Sequence, residues 1–173
     1  MKLEPLIEMP NMVTGLWRQF GVHLFEGKLT LADMVQLDEA AKAWRKTNTG
    51  KTAELVIIYP SSSDAMMTHD ERKRMAHIIK RWENLRLASA TVILATGLIG
   101  AMHRSVLTGL QLLAPSPHPV KVFGTIPSAV VWLTPYIREL LGQEVTVDSV
   151  QTGVDELCKS FRAKRASAAE ACF

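Results

Sequence analysis

The sequence predicts an α/β protein in which helices cover a mostly parallel central sheet. Continuous apolar runs alternate along the chain with segments whose apolar residues recur at steps of three and four. This alternation is typical of buried strands followed by amphipathic helices. The clearest example is an apolar run over residues 91–94 that stops at Gly97 and continues as a helical pattern to Leu113. A central strand of a parallel sheet enters its crossover helix in this way.

The composition is that of one globular domain. The chain has 173 residues, of which 47% are hydrophobic and 21% charged, as in ordinary soluble domains. A chain of this length buries roughly 70% of its extended-chain surface, so its core needs no disulfide or metal. We predict a leader over residues 1–11, one α/β domain over residues 12–142, and a C-terminal helix with a frayed tail over residues 143–173.

Cysteine usage and hydropathy predict a cytoplasmic protein without a membrane span. Cys158 and Cys172 form neither a disulfide framework nor a metal-ligand spacing. Residues 1–5 lack the apolar core of a signal peptide. The uncharged stretch over residues 87–102 is shorter than the roughly 20 residues that a spanning helix needs.

The basic residues do not have the pattern of a nucleic-acid site. The net charge is +3, and the excess is concentrated in residues 71–74 and 159–165. These charges are not interleaved with a series of aromatic side chains that could stack on bases. We therefore expect no nucleic-acid partner.

The first predicted element is a β-hairpin. Two apolar-rich runs, over residues 12–19 and 22–29, are joined around residues 20–21. Strand alternation puts His23 opposite the apolar face of the second run, so we predict a solvent-facing residue there rather than a ligand. Residues 1–11 contain two prolines, which discourage regular structure.

Two helices and a central strand follow. Thr30 is a predicted N-cap for a helix that reaches about Lys46 before an Asn-Thr-Gly stop. The run over residues 54–59 is interpreted as apolar on both faces and therefore central. Thr68 and Glu71 form a predicted capping box at the start of the second helix.

The C-terminal part contains one more strand and further helices. A short strand is predicted over residues 120–123, and Pro127 suits the first turn of the helix that follows. Thr134 and Pro135 indicate a fresh start, so residues 136–141 are predicted to form a separate turn. A last helix is predicted over residues 148–164.

Several of these segments match one known family. The pieces are the hairpin ending Phe25-Glu26-Gly27-Lys28-Leu29-Thr30, the strand over residues 90–95, the helix over residues 104–110, and Val122-Phe123 followed by Ala129-Val130-Val131-Trp132-Leu133. In this order they resemble the STAS/SEC14-like, or SpoIIAA-like, superfamily, whose helix ends in a similar A-x-x-W-L pattern. The resemblance implies a single STAS-like α/β domain that works without catalysis. Members bind protein partners in signalling, and some relatives are associated with lipids or nucleotides.

The resemblance also suggests a phosphorylation site. Anti-sigma antagonists of this family carry a phosphorylatable serine in an Asp-Ser-x-Gly motif just after a strand. This chain has Ser61, Ser62 and Ser63 at the corresponding turn, without the glycine. A phosphate there would suit the following helix N-terminus. The alternative is an ordinary polar loop.

A second candidate site is the turn that contains Gly97, Gly100, His103 and Arg104. Backbone N–H groups at a strand-to-helix turn can hold an anion, and the basic pair lies beside it. The turn lacks the first glycine of G-x-G-x-x-G and a Walker lysine. Close packing of the helix on the strand explains both glycines equally.

We therefore predict a non-catalytic, STAS-like protein–protein interaction module in bacterial signalling or assembly regulation. Its partner surface is expected on the helices after the second and third strands of the crossover series, and a homodimer is expected. The alternative is a small-molecule protein that binds a lipid or nucleotide at residues 97–104. We predict no catalytic residue, no metal and no cofactor.

Overall fold

The architecture is that of a computed structural model, which describes residues 1–27, 29–60, 68–94 and 116–170. The strands are β1 Glu4–Met9, β2 Met12–Trp17, β3 Phe20–Glu26, β4 Thr52–Tyr59, β5 Arg86–Ile93 and β6 Val120–Phe123. The helices are α1 Leu31–Arg45, α2 His69–Trp82, α3 Ile126–Leu141 and α4 Val147–Glu170, and a 3-10 turn, Glu83–Leu85, precedes β5. The predicted α/β class is confirmed.

The strands form one six-stranded mixed sheet in the order β1-β2-β3-β4-β5-β6. β1, β2 and β3 pair antiparallel, whereas β3 to β6 pair parallel. The parallel strands follow one another across the sheet in a single direction. Right-handed crossovers that all move in the same direction across a sheet place their helices on one face. α1 and α2 therefore lie together on one face of this sheet. α3 and α4 cover the other face.

Each face of the sheet has its own core. In β3 the alternation of side chains sends Phe20, Val22 and Leu24 into the larger core, which also contains the buried residues of α3 and α4. The smaller core lies under α1 and α2. Its buried members are Met9, Met12, Leu29, Met34 and Ile78. Because β3 and β4 are covered on both sides, every side chain along them faces a helix layer or an edge of one.

α1 and α2 begin at the N-cap residues that the sequence predicts. Thr30 Oγ1 accepts a hydrogen bond from Asp33 N at 3.2 Å, and Thr30 N donates to Asp33 Oδ2 at 2.8 Å. Thr68 and Glu71 make the same reciprocal pair at 3.3 and 2.6 Å. Both N-caps are confirmed where the sequence puts them, because these side chains satisfy N–H groups that have no partner in a first helical turn.

The leader predicted over residues 1–11 is wrong, because Glu4–Met9 forms β1. β1 is an edge strand that pairs with β2, and an edge strand tolerates a proline because one side of its backbone lacks a ladder partner. The ladder is irregular between Pro5 and Ile7. Burial of Leu3 and Met9 holds this strand against the sheet.

Three other boundaries differ from the prediction. The hairpin turn lies at residues 18–19, with Arg18 at a φ of 52°, rather than at residues 20–21. Residues 136–141 are not a separate turn, because α3 runs through Pro135 and Thr134 Oγ1 donates to Val130 O at 2.7 Å. α4 continues to Glu170, through residues predicted to fray, since alanine and basic residues there favour helix.

Side chains of α4 contact the strands of the sheet at several points. Arg162 lies 5.1 Å from the centre of the Tyr59 ring, and Lys164 Nζ lies 2.7 Å from Glu8 Oε1. Arg165 pairs with Glu26. Cys158 is a buried member of the larger core. No helix in the described part of the chain combines the length and apolarity required to cross a bilayer.

The contact between β2 and α4 predicts the effect of a larger residue at position 15. A Cβ at Gly15 would lie 2.8 Å from Leu157 Cδ2 and 3.2 Å from Leu3 Cβ. We expect Gly15→Val to lower the free energy of unfolding by about 1–3 kcal/mol through overpacking, as measured by urea denaturation. Gly21→Ala is the matched control, because its Cβ would meet neighbours at 3.4 Å or more. Equal losses in the two variants would contradict the close contact.

Candidate functional site

A small cavity lies between the sheet and the C-terminal halves of α1 and α2. Its volume is about 90 Å³. Polar side chains from four strands and one helix line it, namely Thr14, His23, Arg45, Thr52, Glu54 and Arg86. The remaining wall is mainly apolar and includes Leu16, Leu37, Trp44, Ile78 and Trp82.

Strand register explains why these polar groups converge. Thr14 of β2 lies directly opposite His23 of β3, and Thr52 of β4 lies opposite Arg86 of β5. Side chains two residues apart on a strand share a face, so Glu54 joins Thr52 on the side of α1 and α2. Its neighbour on β3 is Gly21, which has no side chain to fill the space beside the carboxylate.

Glu54 and Arg86 form an almost buried ion pair. Arg86 Nε donates to Glu54 Oε2 at 2.5 Å, and the two side chains are 14% and 12% exposed, respectively. Thr52 Oγ1 also donates to Glu54, at 3.2 Å. Burial by itself would raise the pKa of the Glu54 carboxyl, but Arg86, His23 and these hydrogen bonds hold that pKa below its ordinary value. The pair is therefore charged at neutral pH.

The sequence predicts that His23 faces solvent. In the structure His23 instead lies under the layer formed by α1 and α2. Its Nδ1 is 3.0 Å from Thr14 Oγ1. Burial is the main reason that the pKa of His23 lies below its ordinary value, although Glu54 opposes that shift and Arg86 adds to it. The ring is therefore neutral at pH 7. The prediction fails because α1 and α2 cover the face of β3 that was taken to be open.

Arg45, at the end of α1, is the second cation of the cavity. Its guanidinium carbon lies 4.8 Å from the centre of the Trp44 ring and 5.9 Å from that of Trp82. Its N–H groups donate to Gly50 O at 2.7 Å and to Thr52 Oγ1 at 3.0 Å. Both acceptors are neutral, so within the described ranges Arg45 has no carboxylate in contact.

This arrangement provides charged and hydrogen-bonding groups suited to binding. The polar groups are two arginines, a carboxylate already paired with one of them, a neutral imidazole and two threonine hydroxyls. The neutral His23 ring is 3.0 Å from the Thr14 hydroxyl, and the carboxylate of Glu54 is already paired with Arg86. In the ranges that the structure describes, no group of three or more His, Cys, Asp or Glu residues could hold a metal ion. The cavity is also smaller than the roughly 300–1,000 Å³ typical of ligand pockets, so a nucleotide or lipid does not fit it.

The sequence alone does not predict this cluster. Residues 54–59 are interpreted from the sequence as apolar on both faces, although Glu54 begins that run. The available signal is a carboxylate inside a strand that is buried on both sides, because such a group needs a buried partner. The candidate residues that the sequence does indicate, Ser61, Ser62, Ser63, Gly97, Gly100, His103 and Arg104, lie outside the described residues.

A second polar cluster joins α1 to α2. Asp38, whose side chain is 0% exposed, lies 2.6 Å from Arg81, 3.1 Å from Arg74 and 3.2 Å from Lys42. Burial would raise the pKa of Asp38, but hydrogen bonds from Lys42 and Arg81 hold it below its ordinary value. Two of the arginines of α2 are thus used to bind α1.

The outer side of α2 carries the remaining basic residues. Residues 72–82 contain several lysines and arginines and no aspartate or glutamate. Lys73, His77 and Lys80 are exposed, and their spacing of four and three residues aligns them on one side of the helix. Ile79, which is 47% exposed, lies beside them. We call Lys73, His77, Ile79 and Lys80 the basic face of α2.

Comparison with known protein families, with curated proteins and with solved structures finds no match to this chain. The α/β class and the sheet order therefore rest on the structure of this chain and not on that of a relative. The STAS-like resemblance stays a prediction.

The Asp38 cluster predicts a large cost for removing one carboxylate. Asp38→Asn leaves Lys42, Arg74 and Arg81 close together without their shared anion. Because the carboxylate is buried but its partners are about one-third exposed, we expect the free energy of unfolding to fall by about 2 kcal/mol, between the values for surface and buried pairs. Glu39→Gln is the matched control, since Glu39 also pairs with Lys42 but is 64% exposed. Urea denaturation of both variants checks this, and equal effects would contradict it.

Burial of neutral His23 predicts a pH dependence of stability. The pKa of His23 is lower in the folded chain than in the unfolded one, so the unfolded chain takes up the proton first as the pH falls. The contribution of neutral His23 to the free energy of unfolding is complete above about pH 6.5, the ordinary pKa of histidine. It is lost as the pH falls toward the pKa of His23 in the folded chain. Glu54 affects the free energy of unfolding over a lower pH range, because its pKa is depressed below that of an ordinary carboxyl.

The measurement is urea denaturation at several pH values between 7.5 and 5.5, a range of about two units around the ordinary pKa. His23→Gln should make stability less dependent on pH across this range. Burial also lowers the pKa of His118, so some slope should remain until His118 is replaced as well. Exposed His69 provides the control His69→Gln. A slope that His69→Gln reduces as much as His23→Gln would contradict the assignment.

Proposed function

We propose that this chain is a non-catalytic interaction module that binds an acidic protein partner on the basic face of α2. The observation that carries the proposal is an exposed apolar residue, Ile79, among lysines that no carboxylate of the described residues neutralises. Lys73 and Lys80 make no ion pair within the described ranges, whereas Arg74 and Arg81 are bound to Asp38. The face therefore offers free positive charge beside an apolar contact.

Charge complementarity supports an acidic protein as the partner. Acidic groups facing Lys73 and Lys80 would raise the association rate through long-range attraction. An apolar side chain set among those acidic groups would cover Ile79. A second copy of this chain, turned to bring the two basic faces together, would instead juxtapose like charges. This face therefore favours a different protein over self-association, and the expected homodimer stays a prediction.

The proposal agrees with the surface that the sequence suggests. The sequence analysis expects partner contacts on the helices after the second and third crossover strands, and α2 is the first of these. The resemblance to STAS-like modules supports the same kind of role. The alternative, a lipid or nucleotide site at residues 97–104, depends on residues outside the described part of the chain.

The test is site-specific photocrosslinking of the full chain in its native cells. A photoreactive amino acid at position 79 should give one protein adduct. The matched control is position 131, because Val131 is 58% exposed on α3, across the sheet, and should give no adduct with that protein. A Lys73→Glu, Lys80→Glu double variant should abolish the adduct while leaving the melting temperature unchanged, since both lysines are exposed.

Reversal of charge on the partner completes the test. Replacing acidic residues of the captured protein by lysine should restore binding to the glutamate variant. The proposal is wrong if the adduct at position 79 is a lipid or is removed by nuclease. It is also wrong if the adduct survives the double variant or forms equally at position 131.

A further inference from the structure

We infer that the cavity beneath α1 and α2 binds a small monocarboxylate with a short alkyl chain. The inference is independent of the basic face of α2, because the cavity lies on the inner side of that helix. It is carried by the charge of the lining, by an unpaired donor in the wall and by the size of the space.

The lining lacks one negative charge. Among the lining residues that the structure describes, Arg45 and Arg86 contribute two positive charges and Glu54 one negative charge, which leaves one net positive charge. Glu54 is committed to Arg86 at 2.5 Å. Arg45 is held by neutral oxygens and aromatic rings, and its guanidinium has more N–H groups than those acceptors use. A monoanion in the cavity would complete the charge balance, and a carboxylate matches the planar guanidinium.

A buried hydrogen-bond donor in the cavity wall also favours a bound carboxylate. The indole N–H of Trp82, whose ring lines the cavity, is buried without an acceptor in the described part of the chain. An unpaired buried donor costs roughly 1–3 kcal/mol, so a bound acceptor would stabilise it. His23 is a neutral ring beside the same space, with Thr14 on its Nδ1 at 3.0 Å. A ligand rich in acceptor oxygens fits these groups, and an ammonium ion does not.

Size and apolarity select a short alkyl acid. A cavity of about 150 Å³ holds benzene, so one of about 90 Å³ takes a molecule of fewer atoms. Leu16, Leu37 and Ile78 provide an apolar surface that a bare inorganic anion would leave uncovered. A doubly charged phosphate or sulfate would also exceed the single positive charge that the lining offers. Acetate, propionate and butyrate span the remaining range.

The test is a titration of the full chain with sodium propionate, observed by the NMR signals of the indole N–H groups at constant ionic strength. The Trp82 signal should shift and saturate. Propionamide, which has nearly the same shape without the charge, and propylammonium should bind at least about tenfold more weakly, a difference of about 1.4 kcal/mol. Equal binding of propionate and propionamide would overturn the inference, and so would a response that sodium chloride reproduces.

Two variants and one control locate the site. Gly21→Ala adds a methyl group whose position is 3.4 Å from both His23 Nε2 and Leu16 Cδ2. It should leave the chain folded and weaken propionate at least about tenfold, as a ligand excluded from a filled cavity would be. Arg45→Gln should weaken propionate without affecting propionamide. Arg18→Gln is the control, because Arg18 lies over Trp17, at 5.9 Å from the ring centre, and is not part of the cavity wall.

The outcomes separate the two proposals. If Arg45→Gln fails to fold, Gly21→Ala still decides the location. Propionate binding that Gly21→Ala leaves unchanged, or that Arg18→Gln weakens equally, would show that the cavity is not the site. Neither result bears on the basic face of α2, which contributes no wall to the cavity.

Discussion

The Glu54–Arg86 ion pair makes it possible for β4 and β5 to lie under helices on both faces. Strand alternation forces every second side chain of β4 toward α1 and α2, and one of these is a carboxylate. An isolated buried carboxylate would be very costly, so Arg86 must cross from the next strand to meet it. The pair also forms one polar wall of the cavity, beside His23 and Thr52.

α2 links the two candidate sites while keeping them apart. Its inner side closes the cavity through Ile78 and Trp82, and its outer side presents Lys73 and Lys80. Asp38 separates the two by binding the arginines that lie between them. The carboxylate that holds α2 in place thus belongs to α1.

Sequence reasoning succeeds here where local chemistry decides the structure. Thr68 and Glu71 cap α2 because their side chains satisfy the N–H groups of the first turn, and the alternation of strands and helices fixes the α/β class. It fails at Pro5, where pairing with β2 makes an edge strand of a segment that looks irregular. It also fails at His23 and Glu54, whose burial depends on helices that are distant in sequence. The cavity is a product of packing and has no local pattern.

The bond between Lys164 and Glu8 spans 156 positions of the sequence, and this has a consequence for the chain during its synthesis. α3 and α4 cover the larger core on one face of the sheet, yet they are made after the six strands that the structure describes. Until they leave the ribosome, Val22, Leu24 and Leu55 have nothing to pack against on that side. Apolar surface that is exposed in this way during folding promotes aggregation, so this face is the part of the strands that α3 and α4 must cover soon after synthesis.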